Sequence, residues 1–254
     1  MNNKSNPTED FKNFVGNRKF STILADPPWQ FQNRTGKMAP EHKRLARYST
    51  LSLEEIKKIP VAGAAAETSH LYLWVPNALL AEGLEVMKSW GFTYKTNLIW
   101  YKVRKDGGPD RRGVGFYFRN VTEILLFGVR GSKARTLDPG RTQENIIVKS
   151  KREHSRKPDE QYELIESCSC GPYLELFARG TRPNWFCWGN QAEDYFPEWD
   201  TYKNHSQNHI QKSTALRKGY EKPSAVQLQL LEKKERYFKS KNPKEDTDLK
   251  GLSS

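Results

Sequence analysis

The sequence predicts an α/β fold, in which one sheet carries helices on both faces, followed by a basic carboxyl-terminal extension. Between Phe20 and about Gly189, short apolar runs of strand character alternate with segments of helical period. Beyond that point aromatic residues become few, and basic side chains outnumber acidic ones. We therefore predict an amino-terminal extension at 1–19, a folded domain at 20–191, and an extension at 192–254 that is partly helical or disordered.

The elements of the predicted sheet follow from residue type and spacing. Runs rich in Val, Ile, Leu and aromatic residues predict seven strands, at 22–25, 70–75, 94–101, 122–129, 146–148, 173–178 and 185–188. Helical spacing predicts helices at 52–58, 77–90, 158–167 and 224–238, the first with a capping-box pattern at Ser52 and Glu55. Such alternation implies parallel strands joined by helical crossovers, with ligands bound beyond the carboxyl ends of the strands.

Composition limits the classes of function. Hydrophobic residues make up 36% and aromatics 12% of the 254 residues, which is enough for a packed core. No run approaches the roughly 18 to 20 apolar residues of a membrane span, and the polar start lacks a secretory signal. We therefore expect an intracellular protein with no membrane partner, located in the cytoplasm or nucleoid of a prokaryote or phage-infected cell, or in a eukaryotic nucleus. The three cysteines and five scattered histidines predict neither a disulfide framework nor a metal site.

The excess of basic residues indicates a polyanionic partner. Lys and Arg number 42 against 30 Asp and Glu, a formal charge of +12, and the excess is concentrated in predicted loops at 30–47, 102–112 and 130–157. Loops at one edge of a sheet converge in space, so this distribution favours a nucleic-acid cleft. Simple solubility is the alternative explanation.

A rigid turn follows the first predicted strand at Asp26-Pro27-Pro28-Trp29. Two consecutive prolines fix the backbone and remove two hydrogen-bond donors, so the turn offers acceptors beside a carboxylate. This arrangement suits the binding of an exocyclic amino group while a flat ring stacks on the indole. If Asp26 and the Pro27 carbonyl accept the two amino hydrogens of adenine, the nitrogen lone pair is freed for attack on an electrophile. The alternative is a strand-end turn with a capping Asp and a core Trp.

The same tetrapeptide resembles the catalytic signature of the MT-A70 family of S-adenosylmethionine-dependent adenine-N6 methyltransferases. The resemblance continues in order over residues 20–191, through Leu71 to Val75, Ile99 to Lys102, Glu123 before Phe127 to Gly131, Ser155 to Glu160, Leu174 to Arg179, and Pro183 to Gln191. It implies a Rossmann-like methyltransferase sheet with a permuted motif order, in which the catalytic turn precedes the cofactor half. It also implies S-adenosylmethionine as the cofactor.

The resemblance further implies roles for individual residues around this cofactor. Lys157 resembles the residue that pairs with the methionyl carboxylate, and its place before Pro158 suggests the start of a helix. Asp26, Glu175 and Arg179 resemble residues that hold the cofactor. Asn190 and Gln191 resemble the pair that hydrogen-bonds the ribose hydroxyls. Turn and cap roles are the alternative for Glu175, Arg179, Asn190 and Gln191. Phe177 borders the cofactor adenine or belongs to the core.

Substrate residues are expected on the loops that flank the turn. Tyr48 matches a tyrosine that borders the substrate pocket, with packing as the alternative, and Trp29 is expected beside the substrate base. Candidate phosphate contacts are Arg34, Arg47, Arg104, Arg111 and Arg112. A target base must be flipped or already unpaired to reach the turn.

These features together predict a site-specific enzyme that methylates N6 of adenine in DNA. The compact chain resembles the microbial and phage-like DNA branch of the family. Adenine methylation of RNA is the alternative within enzymes, and a non-catalytic nucleic-acid-binding subunit is the alternative outside them. The intact Asp26, Lys157 and Asn190 argue against a vestigial site. A homodimer or a methyltransferase-like partner subunit is also expected from the family.

Overall fold

A computed structural model gives the architecture of the chain, and it describes residues 6–30, 50–104, 106–110, 117–151, 156–189 and 192. All of these belong to the first of the two units into which the chain divides, Met1–Phe196. Apart from Ala192, the extension predicted at 192–254, with its helix at 224–238, lies outside the described residues. No helix among the residues described is long and apolar enough to cross a membrane.

Seven strands form one sheet, and each corresponds to a strand expected from the sequence. They are β1 (Phe20–Ala25), β2 (Ala65–Val75), β3 (Thr93–Val103), β4 (Thr122–Arg130), β5 (Ile146–Ser150), β6 (Tyr173–Leu176) and β7 (Trp185–Trp188). Their order across the sheet is β5-β3-β4-β2-β1-β6-β7. The strand predicted at 173–178 ends two residues early, at Leu176. Phe177 has a φ of 60° and turns the chain, so Phe177 and Ala178 lie beyond the end of β6.

The direction of one strand differs from the prediction of parallel pairing throughout. β1 runs parallel to β2 and β6, β6 to β7, and β3 to β5. β4 runs antiparallel to both of its neighbours, β2 and β3. The described parts of the 104–121 connection contain no helix. β3 and β4 are consecutive in the chain and adjacent in the sheet, and β4 runs back alongside β3.

Six α-helices accompany the sheet in the described part of the chain: α1 (Pro7–Val15), α2 (Leu53–Lys58), α3 (Val61–Ala64), α4 (Leu80–Ser89), α5 (Asp138–Thr142) and α6 (Glu160–Cys168). The capping box predicted for α2 is present. The Ser52 hydroxyl accepts from the Glu55 N–H, and the Glu55 carboxylate accepts from the Ser52 N–H at 2.7 Å. The predicted helix at 77–90 begins with a 3₁₀ turn, Asn77–Leu79.

The start of α6 is a second difference from the prediction. The helix begins at Glu160 rather than Pro158, so Lys157 lies in the preceding loop rather than at the helix start. The favourable effect of the helix dipole on an anion bound at Lys157 is therefore weaker than predicted, since this effect is confined to the first turn. Direct ion pairs hold Lys157 instead, as described below.

Two apolar clusters cover the two faces of the sheet and confirm the prediction of helices on both sides. Because side chains alternate along a strand, Leu71 and Leu73 of β2 face the cluster that includes α1, α2 and α4. Tyr72 and Trp74 face the opposite cluster, to which α6 contributes Ile165. A central strand buried on both faces thus fixes the positions of its neighbours.

The amino-terminal helix α1 was not predicted, although its residues belong to the core. Phe11 is buried, and its ring meets that of Trp188 edge-on at a centroid distance of 5.0 Å. The Asp10 carboxylate accepts a hydrogen bond from the Trp188 indole at 2.7 Å. The helix is therefore attached to the end of β7 through both an apolar and a polar contact.

A buried polar cluster occupies the other end of the sheet. Ser169 Oγ lies 2.7 Å from His70 Nδ1 and 2.8 Å from the Tyr72 hydroxyl. Burial lowers the pKa of His70. Ser169 follows α6 directly, and Cys168, Cys170 and Cys187 are free thiols. The cluster joins the end of α6 to β2 by hydrogen bonds.

We expect Phe11→Ala to lower the free energy of unfolding by about 3 to 5 kcal/mol, since it leaves a cavity under Trp188. Urea denaturation measures the effect. Lys12→Ala is the matched control on the exposed side of the same helix, and we expect it to change stability by less than about 0.5 kcal/mol. Equal effects of the two substitutions would contradict the assignment of α1 to the core.

Candidate active site

The turn after β1 is held from both sides by backbone hydrogen bonds. The Pro27 carbonyl accepts from the Trp29 N–H at 2.8 Å, and the Pro28 carbonyl accepts from the Leu51 N–H at 2.9 Å. Each carbonyl keeps one lone pair for a further donor, while the two prolines contribute none. Asp26, with 31% of its side chain exposed, stands at the open side of this turn.

The structure places Trp29 in the core and not on an open surface. Its side chain is 6% exposed, and its indole N–H donates to the Trp74 carbonyl at 2.9 Å. The prediction of a base stacked on this indole is therefore not supported, and the alternative of a core Trp is. Its contribution to the site is to anchor the turn against β2.

Asp26 belongs to a chain of four alternating charges. Lys157 Nζ lies 2.9 Å from Asp26 Oδ2 and 3.3 Å from Glu123 Oε2. Glu123 in turn accepts a short hydrogen bond from Lys102. Two carboxylates and two ammonium groups thus balance one another within a single network.

Three separate parts of the fold bring these groups together. Asp26 follows the central strand β1, and Lys157 precedes α6. Glu123 of β4 pairs with Trp100 of β3, and Lys102 lies two residues further along on the same face. Apolar rings support both ammonium groups, since Lys157 Nζ lies 5.4 Å from the Trp74 ring and Lys102 Nζ lies 4.9 Å from the Trp100 ring.

The network shifts the protonation equilibria of its members in different directions. Burial raises the pKa of Asp26, and Lys157 opposes that rise. Burial alone would also raise the pKa of Glu123, but Lys157 and Lys102 together lower it to about 2. The pKa of Lys157 is raised despite burial, because Asp26 and Glu123 stabilise its charged form. Lys157 and Glu123 are therefore both ionised at neutral pH.

A third carboxyl group, that of Glu175 on β6, lies close to this network. Its two oxygens accept from the Tyr162 hydroxyl at 2.9 and 3.0 Å, and the Arg182 guanidinium stacks on the Tyr162 ring at 3.5 Å. Burial raises the pKa of Glu175 to about 7, with Asp26 adding to the rise and Tyr162 and Arg182 opposing it. Glu175 is therefore part protonated at neutral pH.

The structure brings together most of the predicted cofactor residues that it describes. Arg179 lowers the pKa of Asp26 through its charge, and Asp26 raises that of Glu175, so these groups share one electrostatic environment with Lys157. Phe177 is half-buried and packs against the core, with its ring 5.6 Å from that of Trp188. This contact agrees with the core alternative for Phe177.

Several predicted residues are not tested by this geometry. Asn190 and Gln191 lie outside the described residues, although Gly189 before them approaches Ala178 so closely that a Cβ would meet its backbone at 2.6 Å. The other predicted residues outside the described chain are Tyr48, Arg34, Arg47, Arg111 and Arg112. Arg104 is paired with Asp106 at 2.6 Å.

Lys102 and Glu123 were recognised in the sequence only as parts of family motifs, without a role. The signal that could have identified them is the occurrence of single charged residues within apolar strands. Their partnership joins residues 21 positions apart and depends on the pairing of β3 with β4. Sequence periodicity alone does not give that register.

Comparison with known proteins gives a consistent result. The profile of the MT-A70 family matches residues 20–191. A putative N(6)-adenosine-methyltransferase MT-A70-like protein of Medicago truncatula is 34% identical over 180 residues, which cover 68% of this chain and 26% of that protein. The human N(6)-adenosine-methyltransferase catalytic subunit METTL3 is 31% identical over 179 residues, 69% of this chain and 28% of its own length.

A relative of similar length is also found. Type II methyltransferase M.MunI of Mycoplasma sp is 27% identical over 212 residues, which cover 76% of this chain and 86% of that protein. By contrast, the chain spans only about a quarter of the length of the N(6)-adenosine-methyltransferases above.

We expect Glu175→Gln to stabilise the protein increasingly as the pH rises. The folded-state pKa of about 7 lies above the ordinary value of 4.5, so ionisation of Glu175 costs stability between these two pH values. Glutamine cannot ionise and keeps an oxygen for Tyr162. The advantage over the wild type, measured by denaturation from pH 5 to pH 8, should grow by up to about 3 kcal/mol.

Glu123→Gln is the control with the opposite sign. Because the pKa of Glu123 is about 2 in the folded state, its charge contributes stability above pH 4.5 that is lost as the pH falls. The glutamine variant should therefore lose stability at neutral pH. A pH-independent effect of Glu175→Gln would refute the elevated pKa.

Proposed function

Because the chain belongs to the MT-A70 family, we propose that it transfers a methyl group from S-adenosylmethionine to N6 of adenine in DNA. The observation that carries the proposal is the pairing of Asp26 with Lys157 at 2.9 Å. This pair lies beside a rigid turn whose carbonyl groups can accept hydrogen bonds and whose two prolines have no N–H to donate. The Asp26 carboxylate can accept a hydrogen bond from the adenine amine, and the Lys157 ammonium can bind the carboxylate of the zwitterionic methyl donor. The two groups can therefore bring the amine and the methyl donor together at one place.

The residues present fit S-adenosylmethionine. Two of the three Lys157 ammonium hydrogens are accounted for by Asp26 and Glu123, which leaves one for the carboxylate of the cofactor. Glu175 and Arg179 supply an acceptor and a cation for its remaining polar groups. When bound, the cofactor supplies an electrophilic methyl group. Asn190 and Gln191 are proposed to bind its ribose, on the family resemblance alone.

Asp26 has the central part in the reaction. The lone pair of an adenine amine is delocalised into the ring, so the nitrogen must become pyramidal before it can attack. Asp26 and the free lone pair of the Pro27 carbonyl accept the two amine hydrogens and favour that geometry. Lys157 favours the ionised form of Asp26 and opposes the rise in its pKa that burial causes. Once methylated, the nitrogen is strongly acidic, and the Asp26 carboxylate receives its proton.

The surroundings of the site support a nucleic-acid substrate. Tyr117 and Phe118 are 95% and 87% exposed on the connection that enters β4, and Arg119 follows them. Exposed aromatic rings beside a cation suit stacking with unpaired bases. β4 carries Glu123, so this connection reaches the same edge of the sheet as the site.

DNA as the substrate is supported by the match to the Type II methyltransferase M.MunI, because the matched region covers 86% of that protein. RNA is the second candidate, because the relatives of higher identity are named N(6)-adenosine-methyltransferases. A non-catalytic binding subunit is disfavoured by the intact pairing of Asp26 with Lys157.

Methyl transfer to matched oligonucleotides tests the substrate. The full chain is incubated with labelled S-adenosylmethionine and single- or double-stranded DNA or RNA of the same sequence, and the products are digested and identified as nucleosides. We expect N6-methyldeoxyadenosine. Label in RNA alone would establish the second candidate, and binding of cofactor without transfer to either polymer would establish the non-catalytic alternative.

We expect Asp26→Asn to reduce the rate of transfer by at least about 100-fold, since a preorganised charged acceptor is lost. Nucleic-acid affinity should survive within about threefold. Glu9→Gln, which removes an exposed carboxylate paired with Lys12 on α1, is the control and should leave the rate unchanged. Retention of more than about a tenth of the wild-type rate by Asp26→Asn would exclude the proposed role.

A further inference from the structure

Lys102 is a buried cation that the mechanism above does not use. It is 6% exposed on β3, between apolar neighbours, and its ammonium group bonds Glu123. Burying a charge is unfavourable unless it is paired, and a strand position of this kind is easily filled by an apolar side chain. The charge of Lys102 therefore calls for an explanation other than packing.

The explanation lies in what Lys102 does to Glu123. Glu123 is shared between Lys102 and Lys157, and Lys157 is shared between Glu123 and Asp26 at 3.3 and 2.9 Å. The four charges sum to zero. Without Lys102 the network would carry one excess negative charge, and the full attraction of Glu123 would act on Lys157.

We propose that Lys102 is a positioning residue for methyl transfer: by neutralising Glu123 it keeps the Lys157 ammonium against Asp26, with one hydrogen free for the methyl donor. This inference rests on the proposed function and adds a residue to it. Loss of Lys102 would draw Lys157 towards Glu123. It would also leave Asp26 and the cofactor carboxylate near an uncompensated negative charge.

The other charged groups around the network do not replace Lys102. Lys151 influences Lys102 electrostatically but is itself paired with Asp110 at 2.9 Å. Arg179 and Glu175 influence Asp26, at the far end of the network from Lys102. Among the contacts that the structure describes, Lys102 and Lys157 are the cations bonded to Glu123.

The decisive test is a rescue experiment with Lys102→Met and the double variant Lys102→Met/Glu123→Gln. Methionine keeps the apolar stem over Trp100 and removes the charge. The double variant removes one charge of each sign and restores the balance. Lys149→Met is the control. Lys149 lies on the neighbouring strand β5, and the substitution removes its ion pair with Glu160, in which the two charged groups are 3.0 Å apart.

We expect Lys102→Met to weaken calorimetric binding of S-adenosylhomocysteine and to lower the transfer rate, each by roughly tenfold. The acid limb of the pH profile should move to higher pH, because the excess charge of Glu123 raises the pKa of Asp26. The double variant should recover both quantities to within about threefold of the wild type. Lys149→Met should resemble the wild type throughout.

The outcomes separate this inference from the proposed function. Failure of the wild type to bind S-adenosylhomocysteine would overturn the proposed function itself. Normal binding and rate in Lys102→Met, or a double variant no better than Lys102→Met, would overturn the positioning role, because removal of the Glu123 charge relieves only a charge imbalance.

If Lys102→Met does not fold, Lys102→Arg and the double variant still test the role. Both keep the charge balanced and should bind within about threefold of the wild type; a larger loss in either overturns the role.

Discussion

The site depends on one ammonium group held between two carboxylates. Lys157 contacts Asp26 and Glu123 at once, and these two carboxyl groups stabilise its charged form against the cost of burial. The same ammonium favours the ionised form of Asp26, whereas burial favours the protonated acid, which is the weaker acceptor for an amine hydrogen. The chemistry of the turn after β1 therefore depends on a residue that lies far from it in the sequence.

Trp74 links this ion pair to the fold. Its carbonyl accepts the indole hydrogen of Trp29 and so fixes the turn, while its ring supports the Lys157 ammonium. Its own indole N–H donates at 2.7 Å to Gln161 of α6, the helix that Lys157 precedes. One residue on β2 thus connects the two sides of the site. Because such buried contacts leave little freedom, they hold Asp26 and Lys157 at bonding distance.

The sequence predicted the elements better than their arrangement. The seven strands have clear apolar runs, and the capping pattern at Ser52 marks a helix start that the structure contains. The direction of β4 was not predictable, because an apolar run specifies a strand without specifying which way it runs. α1 was missed since only Phe11 and Val15 bury its surface.

The site was less predictable than the elements. The burial of Trp29 depends on the position of Trp74, and Lys102 and Glu123 meet only through strand register. Family motifs led us to expect cofactor roles for Lys157, Glu175 and Arg179, because the local sequence around each is distinctive. The motifs did not reveal the electrostatic interactions that link these groups to Asp26.

A crystal structure of the protein with S-adenosylhomocysteine tests the central claim most directly. The account predicts that the ligand carboxylate lies within about 3 Å of Lys157 Nζ while Glu123 remains bonded to the same ammonium. The sulfur should face the open side of the turn at Asp26. A ligand bound at another edge of the sheet, or a carboxylate held by other residues while Lys157 stays closed on its two acids, would contradict the account.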